Sequence, residues 1–322
     1  MIISASRRTD IPAFYTEWFM NRMKDGYVIV RNPMNYNQLS RVCLTADLVD
    51  CIVFWTKDPR PMIPRLTELS DYTFYFQFTL TAYGRDVEKN LPDKKSVLIP
   101  AFRELSRLIG PERVIWRYDP ILITSRYSEA YHLKAFREIA EALSGYTEKC
   151  VFSFVDSYAR NQKALKALGI QAQTDDAMRR MAKKMRDIAA ENHMRIATCA
   201  ERINLEDLGI DHNACVDKQL IERLTGGTIK NTKKNSKDQG QRGDCRCMPS
   251  KEIGAHNTCG HGCVYCYANF SPESVKKSMA LYDPNSPILC DKIGENDVIK
   301  DAGDMKKLVI TDGQMSLFQM KT

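Results

Sequence analysis

The chain has 322 residues, of which 43% are hydrophobic and 27% charged. That balance excludes extensive disorder, and apolar runs such as Cys51-Ile52-Val53-Phe54-Trp55 fall far short of the ~20 residues of a membrane span. A net charge of +7, from 47 basic and 40 acidic residues, is compatible with a polyanionic partner and does not require one.

Taken in order, residues 1–5 (Met-Ile-Ile-Ser-Ala) read as a short strand. No basic-then-apolar leader opens the chain, and the expectation is a cytoplasmic protein. Residues 12–25 read as a helix with Pro12 in its first turn. Two β-rich segments, 27–31 and 40–45, flank Asn32-Pro33 and read as a hairpin insert. Strand-like runs recur at 51–55, 72–80, 114–117, 150–155 and 194–199. Helical patterns fill most gaps, at 101–109, 129–143 and 175–191; in the last, Met178, Met181, Met185 and Ile188 recur at spacings of three and four.

This alternation predicts an α/β fold, either a parallel sheet or a partial (β/α) TIM-type barrel. Chemistry in such folds sits at the C-terminal strand ends. Polar clusters fall there: Arg7-Arg8-Thr9-Asp10, Thr56-Lys57-Asp58-Pro59, Gln77 with Thr79, Arg117-Tyr118-Asp119-Pro120, Ser153 with Asp156, and Cys199 with Glu201. Lys57, Arg117 and Asp119 are candidate catalytic contacts, or else ion pairs at the mouth of a barrel. Arg8 and Asp10 are candidate cofactor contacts, or else helix caps.

The 11 cysteines divide the chain. Cys43, Cys51 and Cys150 lie in or beside apolar strands and read as small buried hydrophobes. Seven others crowd into the last 40% of the sequence, and in a reducing compartment such crowding points to metal binding or catalysis. The sharpest pattern is Cys259-Gly-His-Gly-Cys263-Val-Tyr-Cys266-Tyr-Ala-Asn. Three thiolates on so short a glycine-bearing loop can converge on one [4Fe-4S] cluster and leave one iron open. A zinc knuckle completed by His256 or His261 is the alternative.

The triad with Tyr265 resembles the signature of the radical S-adenosylmethionine (radical SAM) superfamily, most closely its spore photoproduct lyase-like branch. As a whole, the chain resembles an uncharacterised domain-of-unknown-function family with this motif near its C-terminus. The resemblance runs from Ser6-Arg7-Arg8-Thr9-Asp10-Ile11-Pro12 to the cysteine loop. It implies that Cys259, Cys263 and Cys266 hold a [4Fe-4S] cluster, that SAM binds the open iron, and that Tyr265 sits beside the adenine. It implies reductive cleavage of SAM to a 5′-deoxyadenosyl radical, with an electron donor such as flavodoxin or ferredoxin. A nucleic-acid or nucleotide substrate follows only by analogy with the lyase-like branch.

In most of that superfamily the motif follows the first barrel strand, whereas here it lies at 259–266. The expectation is therefore a circularly permuted barrel over 1–270, with 271–322 as a C-terminal extension. In it a strand at 252–256 would lie beside the strand at 1–5. Thr56-Lys57 and Glu88-Lys89-Asn90-Leu91-Pro92 recur in the matching order in lyase-like sequences.

Cys199, Cys215, Cys245 and Cys247 form a second set. Four thiolates can hold a second [4Fe-4S] cluster or a zinc ion, or remain unligated. Lys230 to Arg242 carries four lysines and one arginine, either a solvated loop or a phosphate-gripping one. Cys290 in the tail is a spare thiol or a hydrogen-atom donor to a substrate radical. Two further readings remain: a non-catalytic zinc- or iron–sulfur-binding protein that interacts with nucleic acid, and an electron-transfer protein. The oligomeric state is not encoded in any motif.

Overall fold

The computed structural model describes residues 1–156, 161–230, 237–238, 240–303 and 305–311. In chain order it contains β1 (Ile2–Ala5), α1 (Ile11–Phe14), α2 (Thr16–Asp25), β2 (Tyr27–Arg31), β3 (Gln38–Cys43), β4 (Cys51–Thr56) and β5 (Phe74–Thr79). There follow α3 (Ile99–Ile109), β6 (Val114–Ile121), α4 (Glu129–Leu143), β7 (Lys149–Phe154), α5 (Gln162–Ala167), α6 (Asp175–Glu191) and β8 (Arg195–Thr198). The last third holds β9 (Asp211–His212), α7 (Lys218–Thr225), β10 (Thr228–Ile229), β11 (Lys251–Glu252), α8 (Pro272–Met279), β12 (Val298–Asp301) and β13 (Val309–Ile310).

Eight strands form one parallel sheet in the order β11-β1-β4-β5-β6-β7-β8-β9. Between β1 and β8 the order follows the sequence, as βαβ units dictate. The exception is β11, which pairs beside β1 with Ile3 opposite Lys251 and Ser4 opposite Glu252. Glu252 fastens this join: its carboxylate accepts from Ser4 Oγ at 2.7 Å, from the Arg7 amide at 3.0 Å and from the Gly254 amide at 2.9 Å. The late strand thus pairs where the sequence predicted, but over 251–252 rather than 252–256. Among the described residues no ladder joins β11 to β9, so the sheet has two edges.

Both faces of the sheet are buried, and the two-residue period of its strands sorts the side chains. Ile52 and Phe54, Phe74, Phe76 and Phe78, Val114 and Trp116, and Phe152 and Phe154 belong to a large core shared with α2, α3, α4 and α6. Phe54 stacks on Phe76 at 4.8 Å and Trp116 on Phe136 at 4.7 Å between ring centroids. The alternate residues Cys51, Val53, Tyr75, Ile115 and Val151 meet Cys215, Val216, Cys245, Cys247 and Met248 instead. That opposite face is covered by the chain between β9 and β11.

The long helices begin at sequence-encoded caps. Ser128 accepts from the Tyr131 amide ahead of α4, and Thr174 accepts from the Ala177 amide ahead of α6, whose first turn holds Asp175 and Asp176. The helix expected over 12–25 is broken into α1 and α2 at Tyr15, whose backbone leaves the helical region and whose buried hydroxyl donates to the Thr258 carbonyl. β2 and β3 form the expected antiparallel hairpin. The tail docks on it: β12 pairs parallel with β3, and Arg31 bridges Asp291 and Asp297. Cys51 and Cys150 are buried and Cys43 half-buried, all in the core. Among the described residues no helix is long and apolar enough to cross a membrane.

His132 is buried among aromatic rings, with Nδ1 2.9 Å from the Tyr118 hydroxyl and Nε2 3.0 Å from the Leu122 carbonyl. Burial lowers its pKa below the ordinary 6.5, so the folded chain resists a proton that the unfolded chain accepts. This contribution to stability is therefore lost as pH falls below about 6.5, at up to ~1.4 kcal/mol per pH unit. Urea midpoints measured from pH 7.5 to 5.5 should decline for the native chain and decline less for His132→Gln.

Candidate active site at the C-terminal ends of the strands

The exits of β1, β4, β5, β6, β7 and β8 open into one cavity of about 300 Å³. Its wall combines the strand-end residues Arg8, Asp10, Lys57, Arg117 and Asp119 with Tyr265 and all seven late cysteines outside the tail. The two cysteine sets, separate in sequence, therefore face the same space. Cys290 lies elsewhere, in the core near Tyr15.

The cysteine loop is fixed from two sides. From one side, the 84–90 segment grips it: Val264 donates to the Val87 carbonyl at 2.9 Å, and Glu88 and Cys263 form an antiparallel bridge. The Asn90 amide and side chain donate to the carbonyls of His261 and Gly260 at 3.1 and 2.8 Å. Gly262 has a φ of +66°, and a Cβ there would stand 3.1 Å from Asn90 Nδ2, so the tight loop needs glycine at that position. From the other side, Asp10 accepts from His261 Nε2 at 2.7 Å, from the Lys57 amide at 2.7 Å and from Thr56 Oγ1 at 2.8 Å, while also capping α1. Both Asp10 oxygens are thereby occupied, and its place in the site is that of an anchor.

Between Asp10 and the 84–90 segment lies a buried charge network. Glu88 accepts from Lys57 at 2.8 Å, from Thr81 at 2.9 Å, and from Lys94 and the Tyr265 hydroxyl; Lys57 also donates to Tyr265 Oη at 2.8 Å. Burial alone would raise the Glu88 pKa, but the charges of Lys57 and Lys94 bring it down to about 2. Burial likewise works against the Lys57 ammonium, and Glu88 outweighs it, so that lysine's pKa stands above its ordinary value. Two ammonium groups and one carboxylate leave one positive charge beside Cys263. Burial pushes that thiol up to about 12 against the pull of Lys57, and burial raises Cys259 well above its ordinary value too.

The second set gathers on the opposite wall. Cys199 Sγ is 3.5 Å from Cys215 Sγ, and Cys247 Sγ accepts from the amides of Cys215 and Val216 at 3.2 and 3.4 Å. A hydrogen bond with Cys247 brings the Cys245 thiol down to about 7. Arg117 donates to Cys215 Sγ at 2.8 Å and to Gln77 at 3.3 Å, and its Nε reaches Asp119 at 3.1 Å. Arg117 and Asp119 thus form an ion pair that serves the second cysteine set. Among the described residues no three His, Cys, Asp or Glu side chains already surround one point as a ready metal site.

Arg8 half-faces the cavity, and its guanidinium has no hydrogen bond or ion pair among the described residues. Glu201 accepts from the Phe154 amide at 2.7 Å, and burial raises its pKa to about 7. In the basic segment, Arg242 pairs with Asp156 at the cavity wall. Residues 231–236 and 239, which include two of its four lysines, lie outside the described residues. Sequence reasoning singled out Lys57 and Tyr265 but not Glu88, Lys94 and Arg7 as their neighbours and those of the cysteines. The signal available was the Glu88 to Pro92 segment itself, whose acidic residue and proline follow the strand end at Thr79.

The β11–β1 join leaves no space for a side chain at Gly254, where a Cβ would fall 2.0 Å from Ser6 Oγ and 2.5 Å from Ser6 Cβ. Ser6 Oγ in turn accepts from the amides of Arg8 and Thr9. Gly254→Ala should lower the urea-unfolding free energy by about 1–3 kcal/mol. Gly303→Ala, where a Cβ meets nothing within 4 Å, serves as the neutral control.

No curated protein and no solved structure matches the chain. A family model described as Domain of unknown function (DUF1848) matches residues 2–268, which span β1 through the cysteine loop. The chain belongs to that family.

Proposed function

We propose that this chain is a radical SAM enzyme, with Cys259, Cys263 and Cys266 as the thiolate ligands of a [4Fe-4S] cluster. One observation carries the reading. The Cys-x3-Cys-x2-Cys loop leaves a parallel strand that is late in sequence but first in the sheet, and it faces a cavity at the C-terminal strand ends. We read this order, a late strand seated beside β1 at the edge of the parallel sheet, as that of a circularly permuted partial barrel.

The donor set suits the group: three thiols on one glycine-bearing loop, with one uncompensated positive charge next to Cys263. When bound, the cluster supplies the electron that cleaves SAM reductively to a 5′-deoxyadenosyl radical. The chain's own residues do the rest. Tyr265, held by Lys57 and Glu88, presents a fixed aromatic face to the cavity for an adenine. Arg8 is the cation available for a carboxylate or phosphate. A one-electron donor such as flavodoxin or ferredoxin fits this reading, as does a reducing cytoplasm. A nucleotide or nucleic-acid substrate is consistent with Arg242 at the cavity wall.

Anaerobic reconstitution followed by reduction with SAM should release 5′-deoxyadenosine. Cys263→Ala should abolish the product, with the circular dichroism of the fold retained. A fully iron-loaded native chain that leaves SAM intact would overturn the proposal. Arg8→Ala should weaken SAM binding about tenfold or more, measured by equilibrium dialysis of the unreduced protein.

A further inference from the structure

We propose that Cys199, Cys215, Cys245 and Cys247 hold a single tetrahedral divalent ion, of which zinc is the suited one, as a second and structural metal site.

The four thiols come from three separate stretches of chain. Cys199 follows β8, where its amide donates to the Phe152 carbonyl at 2.8 Å. Cys215 lies just past β9. Cys245 and Cys247 belong to the strap that leads into β11, and the Met248 amide ties that strap to the Val216 carbonyl at 3.1 Å. Convergence of cysteines from three stretches on one patch of a sheet face is not required by packing, since any small apolar residue would fill the space.

The spacing of the sulfurs selects the ion. Zinc–thiolate bonds of about 2.3 Å at tetrahedral angles place neighbouring sulfurs about 3.8 Å apart. Cys199 and Cys215 stand at 3.5 Å, and Cys247 Sγ lies 3.2 Å from the Cys215 amide, with Cys245 two residues before it. Four thiolates on a [4Fe-4S] cube each bind a different iron and stand farther apart. The sulfurs of Cys259, Cys263 and Cys266 make no such contacts among the described residues.

The surroundings match a charged tetrathiolate. Four thiolates around a divalent ion carry a net charge of −2; facing them are the guanidinium groups of Arg7 and of Arg117, the latter already paired with Asp119. Arg117 donates to Cys215, and Arg7 lies beside Cys247 and Cys215 with a buried Nη2 that has no hydrogen-bond partner. Two backbone amides and Asn213 Nδ2, at 3.6 Å from Cys215, add further donors to sulfur. Three of the four thiols are buried, as befits a closed structural site rather than an open catalytic one. Such an ion would pin the strap that delivers β11 to β1.

The test uses the full chain with Cys259, Cys263 and Cys266 all changed to Ala, so that iron at the other loop cannot contribute. Expressed with both metals supplied and purified without air, it should carry about one zinc per chain and no sulfide. Adding Cys199→Ser or Cys247→Ser should reduce the zinc at least fivefold. Cobalt loading of the same triple-Ala chain should give the intense visible bands of a tetrahedral thiolate complex, bleached by one equivalent of zinc. About four irons with sulfide in the triple variant, or no metal together with no cobalt bands, would overturn the site. This outcome is separable from the radical proposal: a zinc-loaded second set is compatible with a native chain that does or does not cleave SAM.

Discussion

One buried carboxylate organises this molecule. Asp10 caps α1, takes the side chain of Thr56 and the amide of Lys57 at the exit of β4, and holds His261 inside the cysteine loop. Hydrogen bonds to a charged acceptor contribute roughly 1.5–3 kcal/mol each. Four donors left without that acceptor would be costly wherever they could not reach water. Because these donors come from the start, the early middle and the end of the sequence, Asp10 sets the distance between Lys57 and the cysteine loop. The Lys57–Glu88–Tyr265 network depends on that distance, and so does the loop's hold on the 84–90 segment.

Charge is distributed unevenly around the cavity in a way that follows the cysteines. On one wall, Lys57 and Lys94 exceed Glu88 by one charge beside Cys263. On the other, Arg7 and Arg117 stand against Cys215 and Cys247, with Asp119 engaging only the far side of Arg117. Among these groups Arg7 Nη2 is the buried donor left without a partner, and an unsatisfied buried polar atom is costly.

Much of this arrangement was readable in the residues. The alternation of strands and helices gave the parallel sheet, because each βαβ unit is a local pattern with a fixed period. The helices at 129–143 and 175–191 appear with the expected bounds, since Ser128 and Thr174 are unambiguous caps. The position of β11 followed from the displaced cysteine motif. What was hidden was long-range and short in extent. β9 and β11 are two residues each and carry no period, and β12 joins the sheet of the hairpin by pairing across the whole chain. Glu88 was legible only as part of a segment, because its partners Lys57 and Tyr265 lie 31 and 177 residues away. The break at Tyr15 was likewise invisible locally, being set by a carbonyl at Thr258.

The join between β1 and β11 also dictates an order of events during synthesis. Ser4 and Glu252 are separated by 248 positions, so β1 leaves the ribosome with one bare edge and keeps it until most of the polypeptide has followed. Pairings of such high sequence separation form late, and an unpaired parallel edge is open to wrong partners in the interval. The edge of β1 is closed only when Lys251 and Glu252 arrive beside Ile3 and Ser4.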